Sequence, residues 1–350
     1  MNTRLNNLRK QFPARGIDAF LCMSDDNIRY LTGFPASESW LLVTKSKAYY
    51  ITDFRYIGEA KKGMAGIAIH DHNGRMLQSA FELAKLDRCV NIGFDEQALS
   101  LALFKGLKKS VLERQRLIAA NGLAESLRLS KDAGEIRQVR QALAIHKKAL
   151  RYLKKALRPG MTERQAYLKL YNFVQEHKAG FSFPPIIAGG PNSSYPHAKI
   201  TDRRVQKNDI VMVDFGVDVN GYKSDLTRMF YFGRIAKLIE DVSTYVAAAQ
   251  RLAIEKIADG VPAREVDAAA RGFLAAKNLD RYFGHALGHG VGLQIHEAPR
   301  LSQKSKETFR QGMIITVEPA VYLPGKFGVR LEEMVLVTKK GCEVLSDNID

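Results

Sequence analysis

The chain reads as an α/β domain followed by an α+β domain, and three observations say so. Short apolar runs alternate with helical patterns through the first 120 residues. One long helical stripe follows Asn121-Gly122. Beyond the stripe, helices alternate with hairpin-like strands. The expected domains are residues 1–122 and 123–350.

In the first domain, Leu5, Leu8 and Phe12 predict an amphipathic helix that stops near Pro13 and Gly16. DAFLCM, WLLVT, AYYIT and CVNIGF predict strands, and Arg75–Lys85 a helix between them. NIRYLTGF, from Asn27 to Phe34, reads as a turn and a mixed polar–aromatic run. His70 and His72 flank Asp71 at strand spacing and are not expected to hold a metal.

In the second domain, Ser130 is the candidate N-cap of a long helix. Ile136, Val139, Leu143, His146, Leu150, Leu153 and Leu157 recur in steps of three and four as one stripe. Pro159-Gly160 ends that helix, and Thr162-x-x-Gln165 is a capping box that starts the next. Strand and loop follow from Phe181 to His197, then a hairpin, then helices over about 236–257 and up to about Leu279. The two helix–hairpin halves leave room for a structural repeat.

Composition is that of a globular protein, 46% hydrophobic and 26% charged. No run of 18 apolar residues exists, and no apolar signal core follows the basic N-terminus. A cytoplasmic protein with an intact start is expected. Cys22, Cys89 and Cys342 are scattered and offer neither a disulfide framework nor a CxxC pair. The formal charge is +16, and residues 128–158 hold ten basic and two acidic residues, a net of +8. That segment reads as the solvated face of one helix rather than a nucleic-acid patch, because no recognised nucleic-acid motif accompanies it.

The stretch IVMVDFGVDVNGYKSDLTRMFYF, from Ile210 to Phe232, organises the second domain. Asn220 and Gly221 both tolerate positive φ, so they predict a tight hairpin turn. Val219 then pairs with Tyr222, and Gly216 with Asp225. Asp214 points to the same face as Asp225, a diagonal neighbour roughly 7–8 Å away at Cα. An acid inside an apolar strand is costly without a partner. The plainer alternative has Asp214 capping a turn and Asp225 solvated.

Downstream, GHALGHGVGLQIHE puts His285, His289 and His296 among four glycines, which let the backbone approach something closely. Glu318 ends the apolar run MIITV, and Glu332 lies on the following strand beyond Pro324-Gly325, a second hairpin turn. Arg330 could pair with one glutamate on the surface. Asp214, Asp225, Glu318 and Glu332 supply four carboxylates and His289 an imidazole. Four negative charges would balance two divalent cations. Such an oxygen-rich set favours Mn²⁺ or Co²⁺, with Zn²⁺ admitted, over a thiolate-type zinc site. Paired cations about 3.5–4 Å apart lower the pKa of a water and polarise a carbonyl.

VDFG, SDLTR, GHGVG, VEP and RLEE, in that order, resemble the pita-bread metallopeptidases, which include methionine aminopeptidase, aminopeptidase P and prolidase. The resemblance covers about residues 128–346. It implies a pita-bread catalytic domain in which Asp214, Asp225, His289, Glu318 and Glu332 hold two metal ions. NIRYLTGF looks like the creatinase-type N-terminal domain of aminopeptidase P and prolidase. PNSSYPHA resembles the loop that brings a histidine, here His197, to the substrate. His285 and His296 resemble the paired histidines that hydrogen-bond the peptide and the tetrahedral intermediate. Glu318 is further implied to accept the attacking water's proton, and Arg330 and Tyr322 to orient carboxylates. Ser194-Tyr195 stand where the family often has Ala-Leu, which touches local pocket shape.

The implied activity is hydrolysis of the bond between an N-terminal residue and a following proline, on a proline-containing peptide, by a homodimer. A prolidase acting on Xaa-Pro dipeptides is the near alternative, and needs a cation to capture a free carboxylate. A creatinase-like hydrolase without metals is more distant. So is a non-catalytic nucleic-acid or ribosome-associated protein on the same fold. Neither membrane nor nucleic acid is expected as a partner.

Overall fold

A computed structural model describes residues 3–347, and the chain divides into two compact units between Arg128 and Leu129. Gly122, at φ 75°, precedes a last short helix of the first unit, Leu123–Arg128. The division therefore falls beyond residue 122.

The first unit is built on a six-stranded mixed sheet. Its order is Ala68–Asp71, Ala48–Thr52, Trp40–Thr44, Ala19–Cys22, Asn91–Phe94, Arg116–Ala119. The last three strands run parallel, as their helical crossovers require. Leu5, Leu8 and Phe12 are buried as a stripe requires, but on two helices, Thr3–Arg9 and Phe12–Arg15. Pro13 sits in the first turn of the second, where its missing N–H costs nothing. NIRYLTGF is not a turn: it lies mostly within the helix Asp25–Thr32, capped by Gly33 in the left-handed conformation. His70 lies on the edge strand Ala68–Asp71, and His72 follows it.

In the second unit the long helix is Ala133–Ala156. Its N-cap is Asp132, not Ser130, because Asp132 and Glu135 form a reciprocal capping box. Val139, Leu143, His146, Leu150 and Leu153 are buried along the stripe, while Lys148, Arg151, Lys154 and Lys155 are exposed. His146 is a core residue, its ring 3.9 Å from that of Phe215 and its Nδ1 3.0 Å from Ser224 Oγ. The helix Glu163–Glu176 starts from the Thr162/Gln165 box.

The central hairpin keeps the expected register. Val219 pairs with Tyr222 across Asn220 and Gly221, which lie at φ 52° and 80°. The strands Asp209–Phe215 and Leu226–Phe232 continue it, with Asp214 opposite Thr227, and Ile186–Gly189 completes that sheet. A second sheet runs Glu297–Leu301, Gly288–Gly290, Ile314–Val317, Glu333–Thr338, Gly341–Val344. Beside it, Ala320–Leu323 and Phe327–Arg330 form the second hairpin.

The two halves repeat one plan: a helix pair, then antiparallel strands. Gly160 and Gly260 both take left-handed φ, 89° and 85°. Each donates its N–H to a distant carbonyl, Val205 O at 2.8 Å and Phe309 O at 3.0 Å. Each then leads into the second helix of its half, Glu163–Glu176 or Ala263–Ala275. Val246, Ala249, Val266 and Leu274 pack with Ile315, Val317 and Val335 in one apolar cluster. Among the described residues, no helix is long and apolar enough to cross a membrane.

Candidate metal centre

Each acid of the expected set sits at a strand end, where apolar neighbours stop and a polar group can face a cavity. Asp214 is the next-to-last residue of Asp209–Phe215, and Asp225 directly precedes Leu226–Phe232. Glu318 follows Ile314–Val317, and Glu332 precedes Glu333–Thr338. His289 is the middle residue of the short strand Gly288–Gly290. Gly288 is glycine for a reason of space, since a Cβ there would lie 2.0 Å from Thr316 O.

The five residues line one cleft of about 1160 Å³, together with His197, His285, His296, Tyr322 and Arg330. Ligand atoms of Asp225, His289 and Glu332 all lie within 4.8 Å of one another. His289 Nε2 is 3.6 Å from Asp225 Oδ2 and 3.4 Å from Glu318 Oε1. Its Nδ1 donates to Gly290 O at 3.1 Å, which leaves Nε2 as a lone pair facing carboxylate oxygens.

Burial dominates the electrostatics. It pushes the Glu318 carboxyl up to about 8, with Arg330 pulling down and Asp214 pushing up. Burial, then the charges of Glu332, Asp214 and Glu318, raises Asp225 well above the usual range. Burial and the charges of Glu318 and Asp214 do the same to Glu332. The imidazoles move the other way: burial lowers His289 and His285 to about 4. His289 is therefore neutral near pH 7, and its approach to the acids is not an ion pair.

A neutral imidazole nitrogen and carboxyl oxygens turned toward one another at these distances form a donor set that a cation could occupy in place of the protons. A further sign is Asp214 Oδ1, buried with no hydrogen-bond partner among the described residues. The donor set, oxygens with one imidazole nitrogen, suits a divalent ion.

Arg330 is not a surface partner of a glutamate. It is buried and pairs with Asp214 through Nη2. Its Nε donates to Thr227 Oγ1 at 3.0 Å, and its Nη1 to Pro196 O at 3.1 Å and to the Tyr322 hydroxyl. This changes the charge balance. Four ionised carboxylates and one guanidinium sum to −3, so one divalent cation leaves −1 and two leave +1. Neutrality no longer selects two ions.

Two hydroxyls belong to the site that sequence reasoning missed. Thr227 Oγ1 donates to Glu332 Oε2 at 2.8 Å, and Thr316 Oγ1 lies 3.4 Å from Glu318 Oε1. Each stands two residues from a site acid, on the same strand face, and that period of two was the available signal. His285 Nδ1 donates to Ala286 O at 2.8 Å, so its Nε2 accepts, 3.3 Å from the Tyr322 hydroxyl. His197 and His296 are exposed in the cleft, and the His296 ring lies 4.4 Å from that of His289.

A cleft of buried acids and histidines on this fold defines a metal-dependent hydrolase. The profile of metallopeptidase family M24 matches residues 137–339, and that of the creatinase/prolidase N-terminal domain matches residues 4–130. The chain belongs to metallopeptidase family M24, the pita-bread metallopeptidases, and carries the creatinase-like domain in front, as the motifs implied. A solved Xaa-Pro dipeptidase from Bacillus anthracis superposes with TM-score 0.95 at 33% identity, over 99% of this chain and 97% of that one. An X-Pro aminopeptidase from Thermotoga maritima superposes with TM-score 0.89 at 31% identity, over 96% and 97%. A Xaa-Pro dipeptidase of Pyrococcus horikoshii is 30% identical over 99% of this chain and 97% of its own. The family implies divalent metal ions.

Proposed function

We propose that the protein hydrolyses the peptide bond between an N-terminal residue and a following proline. The observation that carries this reading is that four carboxylates and a neutral imidazole line one cleft, with ligand atoms of Asp225, His289 and Glu332 within 4.8 Å of one another. The relatives named for Xaa-Pro substrates support the choice of bond. In this reading Asp214, Asp225, His289, Glu318 and Glu332 hold two divalent ions, Mn²⁺ first. The bound ions would lower the pKa of a water and polarise the scissile carbonyl.

Glu318 takes the proton of the attacking water and passes it to the leaving proline nitrogen. His197 and His296 supply hydrogen bonds to the peptide and the developing oxyanion, since no hydrogen bond engages either ring among the described residues. His285 accepts from Tyr322 and orients that hydroxyl rather than donating to substrate. Arg330 holds Asp214 and Tyr322 in place. A homodimer goes with the reading on family resemblance, and a cytoplasmic location on the N-terminal sequence and the scattered cysteines.

The cleft volume supports an aminopeptidase that admits peptides longer than two residues. One observation favours a dipeptidase instead. Lys199 and Arg300 line the cleft, and neither side-chain cation has a hydrogen bond or ion pair among the described residues. Either could bind the carboxylate of a C-terminal proline. The test compares kcat/KM for an Xaa-Pro dipeptide, a tripeptide and its C-terminal amide. An aminopeptidase cleaves all three. Cleavage of the dipeptide alone, lost in Arg300→Met, supports the dipeptidase, and cleavage of none overturns the proposal.

A further inference from the structure

His197 stands at the tip of a segment running from Gly189 to Thr201, and its side chain is exposed. Such a segment presents a side chain at a fixed place only if it is pinned, and a misplacement of about 1 Å can cost a hundredfold in rate. Near the tip, Arg330 Nη1 holds Pro196 O at 3.1 Å. At the base, both ends close on one side chain, Glu163, the first residue of the helix Glu163–Glu176.

Glu163 is 0% exposed. Its Oε1 accepts from Gly189 N at 2.7 Å and from Asn192 Nδ2 at 3.1 Å. Its Oε2 accepts from Asn192 Nδ2 at 2.9 Å, Thr201 N at 2.8 Å and Thr201 Oγ1 at 2.6 Å. All of these donors lie between residues 189 and 201. Burying a carboxylate is costly unless donors of this kind satisfy it. The helix does not need Glu163 for its start, because Thr162 and Gln165 already cap it reciprocally.

The second half of the unit repeats the device. Asp267, also 0% exposed, lies on the helix Ala263–Ala275 and is gripped by Arg271 through two bonds of 2.9 Å. Arg271 then holds Phe283 O at 2.7 Å and His285 O at 3.0 Å. In each half, a buried acid on the second helix ties down the segment that carries a cleft histidine.

We propose that Glu163 is a positioning residue for the reaction: by closing the 189–201 segment at its base, it fixes where His197 stands over the cleft. The inference rests on the role given to His197 under Proposed function.

Glu163→Gln keeps the shape but turns one acceptor into a donor facing N–H groups. The experiment measures kcat/KM on an Xaa-Pro dipeptide and bound Mn²⁺ per chain in four proteins: the parent, Glu163→Gln, His197→Ala and the double variant. Glu163→Gln is expected to lower kcat/KM by about 10- to 100-fold with metal content unchanged. The double variant is expected to be no worse than His197→Ala alone. Losses that multiply in the double variant, or metal lost from Glu163→Gln, overturn the positioning role while leaving the reading of His197 intact. An unchanged kcat/KM in His197→Ala overturns that reading, and the inference with it. If Glu163→Gln does not fold, Asn192→Leu removes a partly exposed donor to the same carboxylate. It takes the place of Glu163→Gln in the cycle, where multiplying losses or lost metal again overturn the positioning role.

Discussion

Buried acids and buried imidazoles respond to pH in opposite senses, and the metal-free protein carries both. Glu318 rises from 4.5 to about 8 on folding. The folded state then binds the proton more tightly than the unfolded chain, so stability falls as pH rises through that window. Asp225 and Glu332 shift the same way. His285 and His289 fall from 6.5 to about 4, so their contribution is lost as pH drops below 6.5. From pH 6.5 to 8 the acids outweigh the imidazoles, whose opposing effect fades within about a unit above 6.5. Chelated protein should therefore melt at a lower temperature at pH 8 than at pH 6.5, and added Mn²⁺ should shrink the difference by taking the proton's place. A chelated protein whose melting point holds or rises over that interval would contradict this. Asp225→Asn removes a charge from the cluster and should lose bound metal and turnover together, with the far-ultraviolet dichroism of the parent. Normal turnover in that variant would remove Asp225 from the ligand set. The acids were readable in the sequence because a carboxylate inside an apolar strand demands a partner. Thr227 and Thr316 were not, because a hydroxyl in a strand is ordinary until its partner is seen.

Among the helices and strands, positions next to the site make separable predictions. Asp132 caps the helix Ala133–Ala156 by accepting from Glu135 N. Asp132→Ala should destabilise the protein by about 1 kcal/mol in urea denaturation, whereas Ser130→Ala should be silent. The reverse order would restore Ser130 as the cap. Gly288→Ala would drive a methyl into Thr316 O, displacing the strand that presents His289. It should lower metal occupancy, measured by elemental analysis, more than it lowers helix content. The central hairpin was legible down to its register because Asn220-Gly221 fixes the turn and every pair follows from it. The helix Asp25–Thr32 was misread although Ser24, two acids in the first turn and Gly33 all mark it. Its aromatic and β-branched residues, Ile28, Tyr30 and Thr32, are weak helix formers, so its interior and its ends point different ways. The strands Ala68–Asp71 and Arg116–Ala119 at the two edges of the first sheet are largely half-exposed and lack clean alternation, so nothing in them announced a strand.

Across the chain, the second unit brings together side chains from residue 197 to residue 332 by building two similar halves and placing strand ends from both on one cleft. Sequence spacing cannot supply such long-range convergence; here family motifs stood in for it. Those motifs implied that Arg330 orients a carboxylate but did not say that it is Asp214 or that the pair is buried, and this matters, because it leaves the number of cations open on charge alone. The account commits to two. The direct test strips the protein with a chelator, removes the chelator, and titrates Mn²⁺ while following both bound metal and cleavage of an Xaa-Pro dipeptide. The account predicts that activity disappears on stripping and returns in full only as occupancy reaches two ions per chain. Undiminished cleavage by the stripped protein, or full recovery at one ion per chain, would contradict it.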